Sequence, residues 1–232
     1  MSEKLVFGMP SKGRLMEDTT RILAEAGLEV RKIGHERGYR GEIGGIEGID
    51  VMFISASEIA NALRTGLIHM GVTGEDLIRE EITDAEHRVT FIKKLGFGHA
   101  DVVVAVPQFW IDVRRMVDLD EIAHQFRRVH QRRLRVATKY MNLTRNYFSA
   151  YGISDYRIVE SLGATEGTPA AGTADLIVDI TSSGATLQAN GLKILSDGVI
   201  LKSEANLIAS KTITWEPEAR AAENELLARI GA

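Results

Sequence analysis

The stretch that decides the fold is ADLIVDITSSGATL, residues 174–187 of a 232-residue chain. It begins with an apolar run typical of a buried strand, reaches Asp179, and then passes through hydroxyl residues around Gly184 into a helical pattern. A strand, a short loop and a helix in this order form a βα unit. The stretch therefore predicts an α/β fold with mainly parallel strands.

The loop after Asp179 has the composition of a phosphate-binding site. A phosphate needs several inward backbone N–H groups and a helix N-terminus beneath it, and Gly184 permits close approach. The candidate ligands are Thr181, Ser182, Ser183, Gly184, Ala185 and Thr186. Asp179 would repel a phosphate and is better suited to ribose hydroxyls or a magnesium ion. From these residues alone, an ordinary strand-to-helix turn with a serine cap is an equally good interpretation.

Strands and helices alternate in both directions from this stretch. Strands are predicted at 4–9, 50–54, 70–73, 89–94, 101–106, 134–138, 156–160 and 175–180, with two more in 192–210 joined near 202–204. Helices are predicted at 15–26 and at 216–230, and a short one after Gly74. Another begins at the capping box of Ser55 and Glu58 and ends at Gly66. Two more begin at the caps Asp118 and Glu121, ending at 131, and at the cap Asn142, ending at 151. Gly96 and Gly98 mark a crossing between two α/β blocks.

Composition excludes several classes of protein. The net charge of -4 gives no overall attraction to nucleic acid or to an anionic membrane surface, and no apolar run reaches the roughly 20 residues that span a bilayer. Without cysteine, disulfides and thiolate chemistry are excluded, and a cytoplasmic location is expected. The basic run at 126–135 is interpreted as a solvated helix end or a subunit contact, because it lacks interleaved aromatic residues. The scattered histidines do not predict a metal site.

Three further loops follow predicted strands and are candidate ligand sites. Lys12 and Arg14 flank Gly13 after the first strand, where anions commonly bind in α/β sheets, although solvated loop cations are the better interpretation of this run alone. Gly71 and Gly74 would let the backbone approach a base or a phosphate, or simply form the turn. The third candidate is an anion site formed by Thr138, Lys139 and Tyr140, which lie before a predicted helix. A purely structural role for these residues is nearly as good an interpretation.

Several blocks of the chain resemble the ATP phosphoribosyltransferase family. The residues that stand at the family's spacing are Glu166, Gly172, Ala174, Ile177, Asp179, Ser183, Gly184, Thr186, Leu187, Asn190 and Gly191. The other blocks, in the family's order, are PSKGR at 10–14, MGVTGED at 70–76, LGFGHADVVVAVP at 95–107 and RVATKYMNLTRNYF at 135–148. The resemblance covers nearly the whole chain. Residues 50–64 depart from it, since they lack the Arg and Asp-x-Pro run of many relatives, so nucleotide contacts there stay open.

The resemblance implies a reaction and a set of roles. Adenine N1 of ATP would attack the anomeric carbon of phosphoribosyl pyrophosphate, and magnesium-bound pyrophosphate would leave. Loop residues 181–186 would hold the 5′-phosphate, with Glu166 and Asp179 facing ribose or Mg²⁺. Lys12 and Arg14 would bind substrate phosphates, and the residues implied at the ATP site are Lys12, Gly13, Arg14, Gly74, Asp76, Thr138 and Lys139.

The resemblance also implies an architecture and partners. Two α/β domains would surround a cleft, as in type II periplasmic binding proteins, with residues 1–97 plus 190–232 in the first domain and 98–189 in the second. The short form of the family has no C-terminal regulatory domain. It would instead form a homodimer within a hetero-oligomer that includes a regulatory subunit similar to histidyl-tRNA synthetase.

Two alternative functions stay open at this point. The same bilobal fold serves small-molecule sensors and solute-binding modules, because fold does not fix function. A phosphoribosyltransferase for a different base is the second alternative. A calorimetric comparison of ATP with other nucleotides would separate these readings.

Overall fold

The computed structural model describes residues 4–34 and 38–232. The strands are β1 (Leu5–Pro10), β2 (Glu29–Lys32), β3 (Arg40–Gly44), β4 (Ile49–Ile54), β5 (Met70–Gly74), β6 (Val89–Lys94), β7 (Asp101–Pro107), β8 (Leu134–Thr138), β9 (Tyr156–Glu160), β10 (Leu176–Thr181), β11 (Leu192–Leu201) and β12 (Ala205–Ser210). The helices are α1 (Gly13–Glu25), α2 (Ala56–Thr65), α3 (Glu75–Glu81), α4 (Ala85–Arg88), α5 (Met116–His130), α6 (Met141–Ala150), α7 (Ala185–Ala189) and α8 (Pro217–Ile230).

The chain divides into two compact units, and the first comprises Met1–Gly98 and Glu204–Ala232. Its seven-stranded sheet has the order β2-β3-β4-β1-β5-β12-β6. The central strands β4, β1 and β5 are parallel, and their apolar side chains form much of the core. Because parallel strands end at the same edge of a sheet, the loops after β1, β4 and β5 are neighbours.

The second unit, His99–Ser203, contains a five-stranded sheet with the order β11-β7-β10-β8-β9. Strands β10, β8 and β9 are parallel, so the residues that follow β8 and β10 meet at one edge. Strand β7 is antiparallel to β10, and the register places Thr181 opposite Asp101. The start of β7 therefore lies beside the loop that leaves β10.

Strand β11 gives a domain division that differs from the predicted one. It pairs antiparallel with β7, with Leu192 opposite Pro107 and Ile194 opposite Ala105. Residues 190–203 consequently belong to the second unit, whereas the prediction assigned 190–232 to the first. The chain returns to the first unit with β12, which pairs with β5 and β6.

Two predicted helix caps are wrong in detail. Helix α5 begins at Met116, and Asp118 lies inside its first turn, where its carboxylate accepts a hydrogen bond from the backbone N–H of Arg115 at 2.8 Å. Helix α6 begins before Asn142, with Tyr140 in the cap position. In both cases a polar side chain that favours helix starts occupies the first turn instead of the cap.

The hairpin of β2 and β3 was not predicted from the sequence. Its sequences, EVRK and RGEIG, are charged and lack an apolar alternation long enough to indicate a strand. The hairpin is stabilised by pairing, because β3 runs antiparallel to β4 with Gly41 opposite Val51. This is a tertiary effect that local propensity does not contain.

Candidate functional site

The end of β10 opens onto a pocket of about 360 Å³ within the second unit. The lining residues are His99, Ala100, Glu166, Asp179, Ile180, Thr181, Ser182, Ser183, Thr186 and Leu187. The pocket therefore brings together both predicted acids and most of the predicted phosphate ligands. Gly184 and Ala185 belong to the same loop but do not line the pocket.

The loop between β10 and α7 is held by its own side chains. Gly184 has a left-handed backbone with a φ of 75°, and its N–H donates to Thr181 Oγ1 at 2.7 Å. A Cβ at this position would lie 3.8 Å from Ile194 Cδ1. Glycine is thus required here by the backbone conformation, and the surrounding protein leaves room.

The same loop presents unused backbone donors to the pocket. Within residues 4–34 and 38–232, no acceptor receives the N–H groups of Ser182, Ser183 or Thr186. The first turn of α7 contains no acidic residue. Neighbouring N–H groups directed at one space form a site for an anion, and a nearby carboxylate in that turn would have opposed it.

Asp179 and Glu166 add two carboxylates to the lining of this pocket. Burial raises the pKa of Asp179 above its ordinary value, and the neighbouring Glu166 carboxylate raises it further. The backbone N–H of Ile180, which donates to Asp179 Oδ1 at 2.8 Å, and the charge of Lys139 act in the opposite direction. Such a pair of acids can accept hydrogen bonds from vicinal hydroxyls or bind a cation.

Lys139 and Thr138 reach this region from the end of β8. The charge of Lys139 lowers the pKa of Asp179. The two residues are near each other because β8 and β10 are parallel neighbours and end at the same edge of the sheet. Thr138 is fully buried, and its Oγ1 accepts the backbone N–H of Tyr140 at 2.8 Å. The hydroxyl of Thr138 therefore shapes the turn before α6, whereas Lys139 is the residue that can contact a ligand.

The predicted site residues in the first unit lie at the carboxyl edge of its parallel strands. Lys12 and Arg14 are exposed at the start of α1, on either side of Gly13, which has a φ of 72°. The first turn of α1 contains no acidic residue. Within the described part of the chain neither cation forms an ion pair, in contrast to Arg21 on the same helix.

The loop after β5 has a different character. Helix α3 begins with Glu75 and Asp76, and Asp76 is buried, so this N-terminus does not suit a phosphate. Gly71, which was expected to admit a ligand, is required by packing instead, since a Cβ there would lie 2.8 Å from Ile59 Cγ2. Gly74 and Asp76 remain candidates for neutral parts of a nucleotide.

In the segment 50–64, which departs from the family pattern, side chains of the segment itself cap the N-terminus of α2. Ser55 Oγ accepts the N–H of Glu58 at 3.2 Å, and Glu58 Oε2 accepts the N–H of Ser55 at 2.7 Å. The predicted capping box of α2 is confirmed. Its donors are occupied by protein groups, so this N-terminus offers little to an anion.

The basic segment 126–135, which includes the end of α5, forms internal ion pairs. Arg127 bonds to Asp155, while Arg132 and Arg135 both bond to Asp175. These contacts support its interpretation as a structural helix end. Among the described residues no group of three metal-ligating side chains is found, and no described helix is long and apolar enough to cross a membrane.

His99 is a pocket residue that the sequence analysis missed. It lies within the block LGFGHADVVVAVP at 95–107, but it directly precedes a strand and nothing in the sequence around it indicates a ligand contact. Its place in the pocket follows from the pairing of β7 with β10, which brings the start of β7 beside the loop after β10. The sequence alone does not show which strands pair.

Comparison with known proteins gives one family. The model of the family described as HisG, ATP phosphoribosyltransferase, matches residues 55–232. The chain is 59% identical to the ATP phosphoribosyltransferase of Bradyrhizobium diazoefficiens over 232 residues, which are 100% of this chain and 71% of that protein. It is 58% identical to the enzyme of Rhodopseudomonas palustris strain BisB18 over the same shares.

Solved structures show the same fold. A chain of the ATP phosphoribosyl transferase (HisG:HisZ) complex from Thermotoga maritima aligns with a TM-score of 0.72 at 24% identity, over 98% of this chain and 96% of that one. The arginine-bound ArgBP of T. maritima aligns with a TM-score of 0.51 at 14% identity, over 97% and 92%. The predicted α/β architecture similar to periplasmic binding proteins is confirmed.

Proposed function

The chain belongs to the ATP phosphoribosyltransferase family, and on that premise we propose which of its residues carry the reaction. The enzymes of this family transfer the phosphoribosyl group of phosphoribosyl pyrophosphate to N1 of ATP. The products are phosphoribosyl-ATP and pyrophosphate, and the reaction is the first step of histidine biosynthesis.

We assign the 5′-phosphate of phosphoribosyl pyrophosphate to the loop 181–186. The observation that carries the assignment is the convergence of this loop with Glu166 and Asp179 on one pocket. The N–H groups of Ser182, Ser183 and Thr186 suit the phosphate, and the carboxylates suit the ribose hydroxyls.

The reaction requires that the two substrates are aligned and that the charge of the transition state is stabilised. Pyrophosphate leaves readily once its charge is neutralised, and positive charge then develops at the ribose anomeric carbon. Asp179 and Glu166 stabilise that charge and hold the ring for attack by adenine N1. A protein nucleophile is unnecessary in this scheme.

We assign ATP to the loops that carry cations and a buried acid. Lys12 and Arg14 bind phosphate oxygens at the start of α1, where Gly13 gives the backbone its left-handed turn. In the second unit, Thr138 shapes the turn that carries Lys139, and Lys139 is assigned to a substrate phosphate there. Gly74 and Asp76 face the nucleoside part of ATP, since Asp76 accepts hydrogen bonds.

The family requires a divalent metal, and we propose Mg²⁺ for this enzyme. Asp179 and Glu166 fit such an ion, because Mg²⁺ is commonly bound by one or two carboxylates together with substrate phosphates. When bound, Mg²⁺ neutralises charge on the pyrophosphate.

The assignment is tested by removing each carboxylate charge. In a spectrophotometric assay of phosphoribosyl-ATP formation, we expect Asp179→Asn and Glu166→Gln to lower kcat by about 100-fold, as loss of a transition-state contact does. Asp112→Asn, an exposed acid outside the pocket, is the control. Turnover of both pocket variants at the parent rate would refute the assignment.

We further propose that the enzyme works in the cytoplasm as a homodimer within a hetero-oligomer. The partner would be a regulatory subunit similar to histidyl-tRNA synthetase, and the Thermotoga maritima structure of a HisG:HisZ complex supports a two-subunit arrangement. Histidine control requires a second site and a state equilibrium that both ligands bias. In this proposal that site belongs to the partner.

The proposal predicts how histidine acts. The isolated chain should be weakly active and insensitive to histidine, and addition of the partner should raise activity and confer inhibition. The measurement is the initial rate against histidine concentration, with and without the partner. Strong histidine inhibition of the isolated chain would overturn this arrangement.

A further inference from the structure

His99 lies in the pocket but has no part in the assignments above. Among the described residues that line the pocket, it is the one with a nitrogen-bearing ionisable side chain. We propose that His99 is a substrate-binding residue that donates an N–H to the 5′-phosphate of phosphoribosyl pyrophosphate. The proposal rests on the assignment of that phosphate to the loop 181–186.

Strand register places His99 beside the phosphate loop. In the antiparallel pair of β7 and β10, Asp179 lies opposite Val103 and Thr181 lies opposite Asp101. Continued by two residues, the same count sets His99 against Ser183. The chain before β7 is fixed there, because the N–H of Ala100 donates to the carbonyl oxygen of Ser203 at 2.9 Å.

The charges around the pocket explain why such a donor is needed. The two charged side chains in the lining are the carboxylates Glu166 and Asp179, which repel a phosphate dianion. Helix α7 has only five residues, so its dipole is a weak source of compensation. The lining includes no Lys or Arg, and Lys139 acts on Asp179 from outside it, so His99 is the lining side chain that can donate to the phosphate.

Histidine can fill this role in either protonation state. A neutral imidazole carries one N–H donor and an imidazolium carries two, and His99 is exposed, so its ring can turn toward a ligand. The 5′-phosphate is remote from the bond that breaks. Its contacts are therefore made equally in the ground state and the transition state, and their loss should change KM more than kcat.

The test compares His99→Ala with His99→Gln, which keeps an N–H donor. We expect His99→Ala to raise the KM for phosphoribosyl pyrophosphate about tenfold, as loss of a hydrogen bond to a charged group does, with kcat and the KM for ATP near the parent values. His99→Gln should recover part of this loss. Titration calorimetry should show weaker binding of ribose 5-phosphate by His99→Ala and unchanged binding of pyrophosphate.

Two comparison variants separate this proposal from the assignment on which it rests. Gly184→Ala tests whether the loop binds the phosphate. His87→Ala removes an exposed histidine of the first unit and should leave binding and kinetics at the parent values. If Gly184→Ala binds ribose 5-phosphate more weakly than the parent and His99→Ala binds it equally well, the loop assignment stands and the role of His99 is refuted. If both bind it like the parent, the loop assignment fails as well. Loss of pyrophosphate binding by His99→Ala would place His99 on the leaving group and also overturn the proposal.

Discussion

The imidazole Nδ1 of His69 accepts a hydrogen bond from the backbone N–H of Val6 at 3.0 Å. His69 is 1% exposed, and its ring packs edge-on against Trp215 with 5.0 Å between ring centroids. Burial lowers the pKa of His69 below its ordinary value of 6.5. Since Nδ1 is the acceptor, a second proton on the ring would break the contact that joins β1 to the residue before β5.

This contact makes stability depend on pH. The contribution of His69 is complete above about pH 6.5 and is lost as the pH falls toward its lower folded pKa, because the unfolded chain then binds a proton that the folded chain does not. His69→Asn keeps an acceptor for Val6 and does not titrate. In urea unfolding between about pH 7.5 and about pH 5.5, we expect the parent to lose more stability than this variant. His87→Asn is the control, and equal losses in parent and His69→Asn would contradict the prediction.

Asp175 is expected to stabilise the second unit at neutral pH. Burial by itself raises its pKa, but hydrogen bonds from Arg132 and Arg135 outweigh it and lower the pKa to about 2. We expect Asp175→Asn to reduce the free energy of unfolding by roughly 1 to 2 kcal/mol after allowance for solvent screening. The contribution is complete above a pH of about 4 and is lost toward pH 2. Urea unfolding at neutral pH is the measurement, with the exposed Glu121→Gln as control, and equal losses in both would refute the prediction.

Gly184 and Gly152 form a matched pair for testing the phosphate loop. Both have a φ of 75°, and neither would place a Cβ closer than 3.8 Å to another residue. Alanine should strain both backbones by about 1 to 2 kcal/mol. We expect Gly184→Ala to weaken phosphoribosyl pyrophosphate binding in titration calorimetry and Gly152→Ala to leave it unchanged. Equal affinity in the two folded variants would show that the loop shape is unimportant for binding.

Arg14 is expected to act through its forked geometry. Arg14→Lys keeps the positive charge but cannot bind two phosphate oxygens at once, so we expect kcat/KM for ATP to fall about tenfold. Arg21→Lys is the control on the same helix, because Arg21 pairs with Asp18 and Glu25 on the surface. Steady-state rates at varied ATP decide the matter, and parent-like kinetics of Arg14→Lys would make Arg14 a bystander.

Much of the molecule follows from local pattern. The apolar runs of β1, β8 and β10, the capping box at Ser55 and the glycine that ends α2 are each specified within a few residues, and the structure has them where the sequence predicts. The loop after Asp179 belongs to this class as well. Its glycine, its hydroxyls and the following helix are contiguous, so their geometry is largely local.

Sheet pairing was decided by the tertiary structure. Residues 192–210 predict two strands, but no local feature says that β11 joins β7 while β12 returns to β5. The placement of His99 depends in the same way on β10, which is far along the chain, and hairpin β2–β3 depends on its pairing with β4. A strand's own residues fix its alternation of faces, whereas its neighbour is chosen by which buried surfaces and backbone groups remain unpaired in the assembled fold.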